Sequence, residues 1–206
     1  MTTFRPEDLE TVDAYKLMVG LVVPRPIGWI GTIAADGTRN LAPYSFFNAV
    51  SAAPPTVIFS TGRRGRRAAA PDHKDTLTNV LESGVFTVNV VTEDVAASMN
   101  LTSGDYRPEI DEFTLAGLTS RPGEVVIAPI VAEATAALEC RMTQTVAIGD
   151  HANNTVVFGE VARIHVATEI LDGTRVDPMA LRAVGRMAGA GYARTVDGYF
   201  EMERPG

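Results

Sequence analysis

Gly28-Trp29-Ile30-Gly31-Thr32-Ile33-Ala34-Ala35-Asp36-Gly37-Thr38-Arg39-Asn40-Leu41-Ala42-Pro43 reads as a β-hairpin. Residues 28–34 form the first strand. Asp36-Gly37 is the turn, because a tight hairpin turn needs positive φ and glycine supplies it cheaply. Thr38 to Ala42 is the returning strand. Pro43 cannot donate to a ladder, so pairing is expected to break there. Outward from this hairpin, Thr56 to Ser60 follows Pro54-Pro55 as a short buried strand. Val85 to Val91 alternates, with Phe86, Val88 and Val90 on one face and Thr87 and Asn89 on the other. Ala134 to Ile148 places Leu138, Cys140 and Met142 on one face and Glu139, Arg141 and Thr143 on the other. After the turn cluster Asp150 to Asn154, Thr155 to Val166 returns with Val156, Phe158, Ala162 and Ile164 on one side. A hairpin this long suits a barrel wall.

Helices are predicted over 74–84, capped by Asp75, ended by Gly84 and striped by Leu77, Val80 and Leu81; over Glu93 to Asn100; and over Pro178 to Met187. Strands without βαβ alternation exclude a doubly wound dinucleotide fold. The class is mostly β with accessory helices. The 206 residues read as one domain with an ordinary globular composition, 46% hydrophobic and 21% charged. A net charge of −7 disfavours a general nucleic-acid binder. Cys140 is the single cysteine, so internal disulfides and zinc sites built on several cysteines are excluded. Met1 to Leu9 has no apolar run, and nothing approaches the ~18 apolar residues of a membrane span. The expectation is a soluble, cytoplasmic chain without membrane or nucleic-acid partners.

Hydrolytic motifs are missing: there is no GxxxxGK[ST], HExxH or GxSxG. Gly189-Ala190-Gly191 reads as a flexible loop. His151 and His165 read as solvent-facing, and Cys140 as a small core residue. The paired carboxylates Asp105 with Glu109, and Asp111 with Glu112, read as solvated surface. Catalytic chemistry is therefore expected from a bound cofactor, with no catalytic side chain assigned.

Two segments carry chemistry. Ser60-Thr61-Gly62-Arg63-Arg64-Gly65-Arg66-Arg67 leaves a strand, and His73-Lys74-Asp75-Thr76 opens a helix. Free N–H groups, a positive helix end and cations make such a seat suited to phosphate. With Asp75 assigned to the cap, the phosphate falls to Ser60, Thr61, Lys74 and Thr76; a basic surface loop is the alternative. The second segment is Asn40 to Ser51. Its aromatics, hydroxyls and amides form either a wall for a planar heteroaromatic ligand or a barrel corner that fills the core.

Pro24-Arg25-Pro26-Ile27-Gly28-Trp29-Ile30, Asp36-Gly37, Asn40-Leu41-Ala42-Pro43-Tyr44-Ser45-Phe46-Phe47-Asn48, Pro54-Pro55-Thr56 and Lys74-Asp75-Thr76-Leu77 together resemble the flavin reductase-like family of FMN-binding split barrels. The likeness continues through Gly84 to Asn89, Met99-Asn100, Asp111-Glu112-Phe113, Ala116 to Thr119, Ala137 to Cys140, Gly185-Arg186-Met187 and Tyr192. It covers nearly the whole chain in order, and departs in an Arg63–Pro71 loop that is longer and richer in Ala and Arg.

The resemblance implies a homodimeric, Greek-key-like split β-barrel with FMN near the subunit interface. It implies that Ser60, Thr61, Lys74 and Thr76 hold the phosphate, and that Thr32, Asn40, Tyr44, Ser45, Phe46, Phe47 and Asn48 line the ring and ribityl. Arg25 and Trp29 would flank the entrance, and Arg186 and Tyr192 would close the site, across the dimer. It also implies an NAD(P)H:flavin oxidoreductase in which hydride moves from nicotinamide C4 to flavin N5, and reduced flavin passes to an acceptor or partner monooxygenase. A flavoredoxin-type FMN electron carrier without NAD(P)H turnover is the alternative; an FMN-dependent oxidase and a binding module without flavin are the remaining readings.

Overall fold

The computed structural model describes residues 1–63, 73–149 and 154–205. Arg64 to Arg67 of the basic loop, and Asp150 and His151 of the predicted turn, lie outside them. The chain opens with helix α1 (Thr11–Leu21), followed by strands β1 (Gly28–Ile33), β2 (Arg39–Tyr44), β3 (Phe47–Ala52) and β4 (Pro55–Gly62). Helix α2 (Asp75–Ser83) leads to β5 (Val85–Val90), α3 (Ala96–Leu101) and α4 (Glu112–Leu115). A short pair, β6 (Ser120–Arg121) and β7 (Ile130–Val131), precedes the long hairpin β8 (Ala136–Ile148) and β9 (Asn154–Val166). Beyond it come β10 (Leu171–Asp172), β11 (Arg175–Val176), α5 (Pro178–Leu181), β12 (Val184–Arg186) and β13 (Tyr192–Arg194).

Seven strands form one antiparallel sheet in the order β2-β1-β5-β8-β9-β4-β3. The two edge strands, β2 and β3, are consecutive in the chain and separated only by Ser45 and Phe46. The sheet must therefore roll until its edges meet, which gives a barrel with a seam at those two residues. Ser60 N donates to Phe46 O at the seam (2.8 Å), and the Tyr44 and Phe59 rings approach to 5.1 Å. A Cβ on Gly28 would stand 2.6 Å from the Phe47 ring, so only glycine leaves room for that side chain over β1.

Side chains alternate across a strand, and β1 shows the result. Ile30 faces a core of Val57, Phe59, Phe86, Val88, Cys140 and Val157, closed by Leu77 and Val80 of α2. Trp29 faces a second core of Leu41, Val91, Met99, Phe113 and Val184. The early hairpin forms as its sequence predicts, with Gly37 at φ 91° and Thr38 N donating to Asp36 Oδ1 (2.9 Å). Cys140 is a core residue, and burial pushes its thiol up to about 12.

Several expectations are corrected. Pairing runs through Pro43 to Tyr44, opposite Trp29 and Gly28, because β2 is an edge strand and tolerates a missing donor. Helix α2 begins at Asp75 with Lys74 as N-cap, and Leu81 is exposed while Thr76 and Asn79 are buried. The buried face of β9 carries Val157, whereas Ile164 is 60% exposed. The predicted helix over Pro178 to Met187 stops at Leu181, and Val184–Arg186 pairs as a strand with Tyr192–Arg194. Helix α1 and strand β3 carry no sequence prediction. Among the described residues, no helix is long and apolar enough to cross a membrane.

Candidate functional site

Two clefts open beside the seam and share Pro43 and Ser103 in their walls. The first, of about 300 Å³, is lined by Asn40 and Tyr44 of β2, Lys74, Asp75 and Thr76 at the start of α2, Arg63, and Glu112 of α4. An isolated bridge pairs Arg63 with His73, and Arg63 and Lys74 face one space. Lys74 Nζ lies 5.8 Å above the Tyr44 ring. The second cleft, of about 450 Å³, has a softer wall: Tyr15 and Val19 of α1, Ile27, Met99, Met187 and Tyr192, with Ser45, Arg25 and Arg186 as polar groups. Both volumes fall at the lower end of ligand-sized pockets, ~300–1,000 Å³.

Local structure explains how each side chain is held. Asn40 Nδ2 donates to both oxygens of Glu112 (3.1 Å each), which fixes the amide so that Oδ1 accepts from the Thr76 hydroxyl (2.7 Å) and the Thr32 hydroxyl (3.2 Å). Asn79 Nδ2 donates to Thr32 Oγ1 (3.0 Å). This chain of buried polar groups ties β1, β2, α2 and α4 together behind the first cleft. Glu112 also accepts from Leu41 N (3.1 Å). It is 4% exposed, and burial pushes its carboxyl up to about 7 against those hydrogen bonds, with Asp75 adding to the rise. Asp111 accepts from Phe113 N and Thr114 N as the N-cap of α4 and pairs with Arg39. The reading of this pair as solvated surface is corrected for Glu112, which its partners on β2 hold out of water; Asp111 stays partly exposed beside Arg39.

In the second cleft, Arg25 is buried and donates to Val19 O, Val22 O (2.7 Å each) and Met187 O (3.0 Å). It thereby clasps α1 to the C-terminal segment. The backbones of Arg25 and Arg186 pair, and the Arg186 guanidinium stacks 4.5 Å from the Tyr192 ring. Tyr192 Oη donates to Asn100 Oδ1 (3.1 Å).

The family model of the flavin reductase like domain matches residues 19–183. The chain belongs to the flavin reductase like family. Nitrilotriacetate monooxygenase component B from Bacillus cereus superposes with a TM-score of 0.91 at 32% identity, over 100% of this chain and 98% of that one. The 2-nitrobenzoate 2-nitroreductase NbaA from Pseudomonas fluorescens gives 0.88 at 30%, over 99% and 96%. A split barrel domain from Shewanella frigidimarina gives 0.82 at 22% over 100% and 99%, a likeness of fold. The rolled sheet of this flavin reductase like protein is that split barrel, and the family implies a flavin ligand.

The fold sorts the predicted flavin-site residues into groups. Asn40, Tyr44, Lys74 and Thr76 meet in the first cleft, and Arg25, Ser45, Arg186 and Tyr192 in the second. Thr32 stands behind Asn40. Thr61 is buried beside Tyr44, and Ser60 is half-buried next to it on β4. Phe47 packs on the core, Phe46 is 43% exposed near Tyr15, and the Asn48 carboxamide accepts from Ala49 N on the surface. Trp29 is wholly buried, its indole N–H donating to Thr102 Oγ1 (2.9 Å), so it does not flank an entrance. Glu112, Ser103, Met99 and Met187 were not expected to face the clefts. Met99, Glu112 and Met187 all stand inside stretches that carry the family likeness, which was the available signal; Ser103 had none.

A flavin nucleotide fits this lining. Tyr44 Oη and Arg25 Nε, one from each cleft's wall, are buried without a hydrogen-bond partner among the described residues. Such atoms cost about 1–3 kcal/mol each when left unsatisfied. Burial raises the Tyr44 hydroxyl's pKa despite the nearby Thr76 and Thr61 hydroxyls.

Proposed function

We propose that this protein is an FMN-dependent NAD(P)H:flavin oxidoreductase that passes reduced flavin to an acceptor such as a partner monooxygenase. The observation that carries the reading is the meeting of two unlike clefts at Pro43 and Ser103. One offers cations and a hydroxyl, the other aromatic and thioether side chains. A phosphate-bearing planar ring needs both. Lys74, Arg63 and Thr76 would hold the phosphate, with Thr61 and Ser60 behind them. Tyr44, Ser45 and Tyr192 would border the ring system. When bound, FMN supplies the hydride-accepting centre, with NAD(P)H as donor. The chain's own work is to neutralise the phosphate, orient the ring and exclude water with Met99, Met187 and Val19. The 32% identity to a monooxygenase component supports the oxygenase as acceptor.

We also propose that the chain works as one domain in a cytoplasmic homodimer. Val12, Tyr15, Met18 and Leu21 on α1 are each more than half exposed, and Tyr15 borders the second cleft. Contiguous apolar surface of this kind is a mark of association.

The test is the absorbance spectrum of the purified protein with FMN, before and after NADH or NADPH is added without oxygen. Bound, yellow FMN that bleaches is expected. A chain that takes up no FMN sinks the proposal. FMN that is bound but reduced only by a protein partner makes the chain an electron carrier instead. Light scattering at the mass of two chains supports the dimer; the mass of one removes it.

A further inference from the structure

We propose that Glu112 couples phosphate binding in the first cleft to the uptake of a proton, so that the cleft grips its ligand more tightly when this carboxyl is protonated. The proposal rests on the assignment of the FMN phosphate to this cleft.

The geometry begins with what Glu112 lacks. An ionised carboxylate has about four acceptor sites. Here Asn40 Nδ2 and Leu41 N contact the two oxygens, and neither is charged. Arg39, on the residue next to Asn40, is committed to Asp111 and Ser120. The charged and titratable groups around Glu112 come from several elements: Lys74 and Asp75 from α2, Arg63 from the end of β4, Asp105 and Tyr106 from the loop after α3, and Tyr44 from β2. Carboxylates thus balance the two cations, and an arriving phosphate brings further negative charge into a space Glu112 already lines.

Like charges raise each other's proton affinity. Bound phosphate therefore draws a proton onto Glu112, and by reciprocity a protonated Glu112 favours phosphate. Protonation also turns an acceptor into an O–H donor. The carboxyl's titration, displaced by burial to about 7, sets the range in which this happens. Glu112 further holds Asn40, which holds the Thr76 hydroxyl, so the proton is taken up one residue away from a phosphate anchor.

The experiment compares FMN dissociation constants, from quenching of flavin fluorescence, for the wild type and Glu112→Gln at pH 6 and pH 8.5. Gln keeps an oxygen for Leu41 N and Asn40 but carries no charge. The ratio between the two proteins cancels the phosphate's own ionisation near pH ~6. At pH 6 the constants should agree within about twofold. At pH 8.5 the variant should bind about tenfold tighter, the ratio for a coupling of one pKa unit. Riboflavin, which lacks the phosphate, should show a ratio that does not move with pH. FMN binding with a flat ratio, or a riboflavin ratio that moves equally, overturns the coupling and leaves the proposed function standing. Absence of FMN binding to the wild type at either pH overturns both.

Calorimetry of the wild type at pH 7.5, in two buffers of different ionisation heat, is an independent reading should the variant fold poorly. Uptake of about half a proton per FMN is expected from the same coupling. No uptake, or release, overturns it.

Discussion

Glu139 and Glu112 are both buried, and the fold treats them in opposite ways. Glu139 lies on β8 with no exposed surface. Burial alone would raise its pKa. The hydrogen bond with His165 (2.7 Å) and the N–H groups of Glu124, Val125 and Val126 outweigh that and hold it at about 2. For Glu112, burial prevails over the Leu41 N–H, its own N–H and the Asn40 amide, lifting it to about 7. The difference is the supply of donors. A carboxylate that staples a loop to a sheet is fully satisfied, whereas one that lines a cleft is left short. The second condition costs stability and leaves the group responsive to what enters.

The contrast can be broken most severely at Glu139. Replacing it with Ala strands three backbone donors and His165, and should cost about 3–5 kcal/mol at pH 7 in urea unfolding. A loss under 1 kcal/mol would mean that the staple carries no weight. The pH dependence comes next, and the two groups have opposite signs. Glu139 has a folded pKa below its ordinary 4.5, so its contribution is present above 4.5 and lost as pH falls toward 2. Glu112 has a folded pKa above 4.5, so the folded state keeps a proton that the unfolded state has released. Stability should therefore fall by up to about 3 kcal/mol as pH rises from 4.5 to 7. Glu112→Gln should flatten that decline, and a wild-type midpoint unchanged between pH 5 and 8 would remove the distinction.

A smaller effect tests whether the surroundings of Glu112 are a ligand site at all. Lys74→Ala combined with Thr76→Ala should weaken FMN by about 1–3 kcal/mol, read by fluorescence quenching. Unchanged affinity would move the phosphate elsewhere. The smallest sharpens the Glu139 half. His165→Ala should cost about 1–2 kcal/mol, less than Glu139→Ala because the three backbone donors keep their acceptor. Equal losses would make the histidine, not the loop, the main partner.

Elements marked by turn residues or by an alternating run of apolar and polar residues were legible in the sequence. The Asp36-Gly37 hairpin and the long β8–β9 pair announce themselves by turn chemistry and alternation. The β3 strand did not, because Asn48 to Ala52 are all exposed and no buried face is written into them. Helix α1 escaped for the same reason: Val19 is its one buried residue, and Tyr15 and Met18 face outward. Glu112 sits in a locally polar run, and its burial comes from Asn40 and Leu41, about seventy positions earlier. Local polarity hides that burial, although Asp111-Glu112-Phe113 belongs to the family likeness. Trp29 is the converse case, since proximity to family site residues suggested an entrance while Thr102 offered its indole a place inside. His165 likewise reads as solvent-facing until the register of β8 and β9 sets it beside Glu139.

The seam at Ser45 and Phe46 has one more consequence. Tyr44 borders one cleft and Ser45 the other, and the same short joint brings the sheet's two edges together. A molecule lying along both clefts would span that joint like a clasp across a collar. Occupancy and resistance to opening would then be two readings of a single event, visible as slower amide exchange in β2 and β3 together.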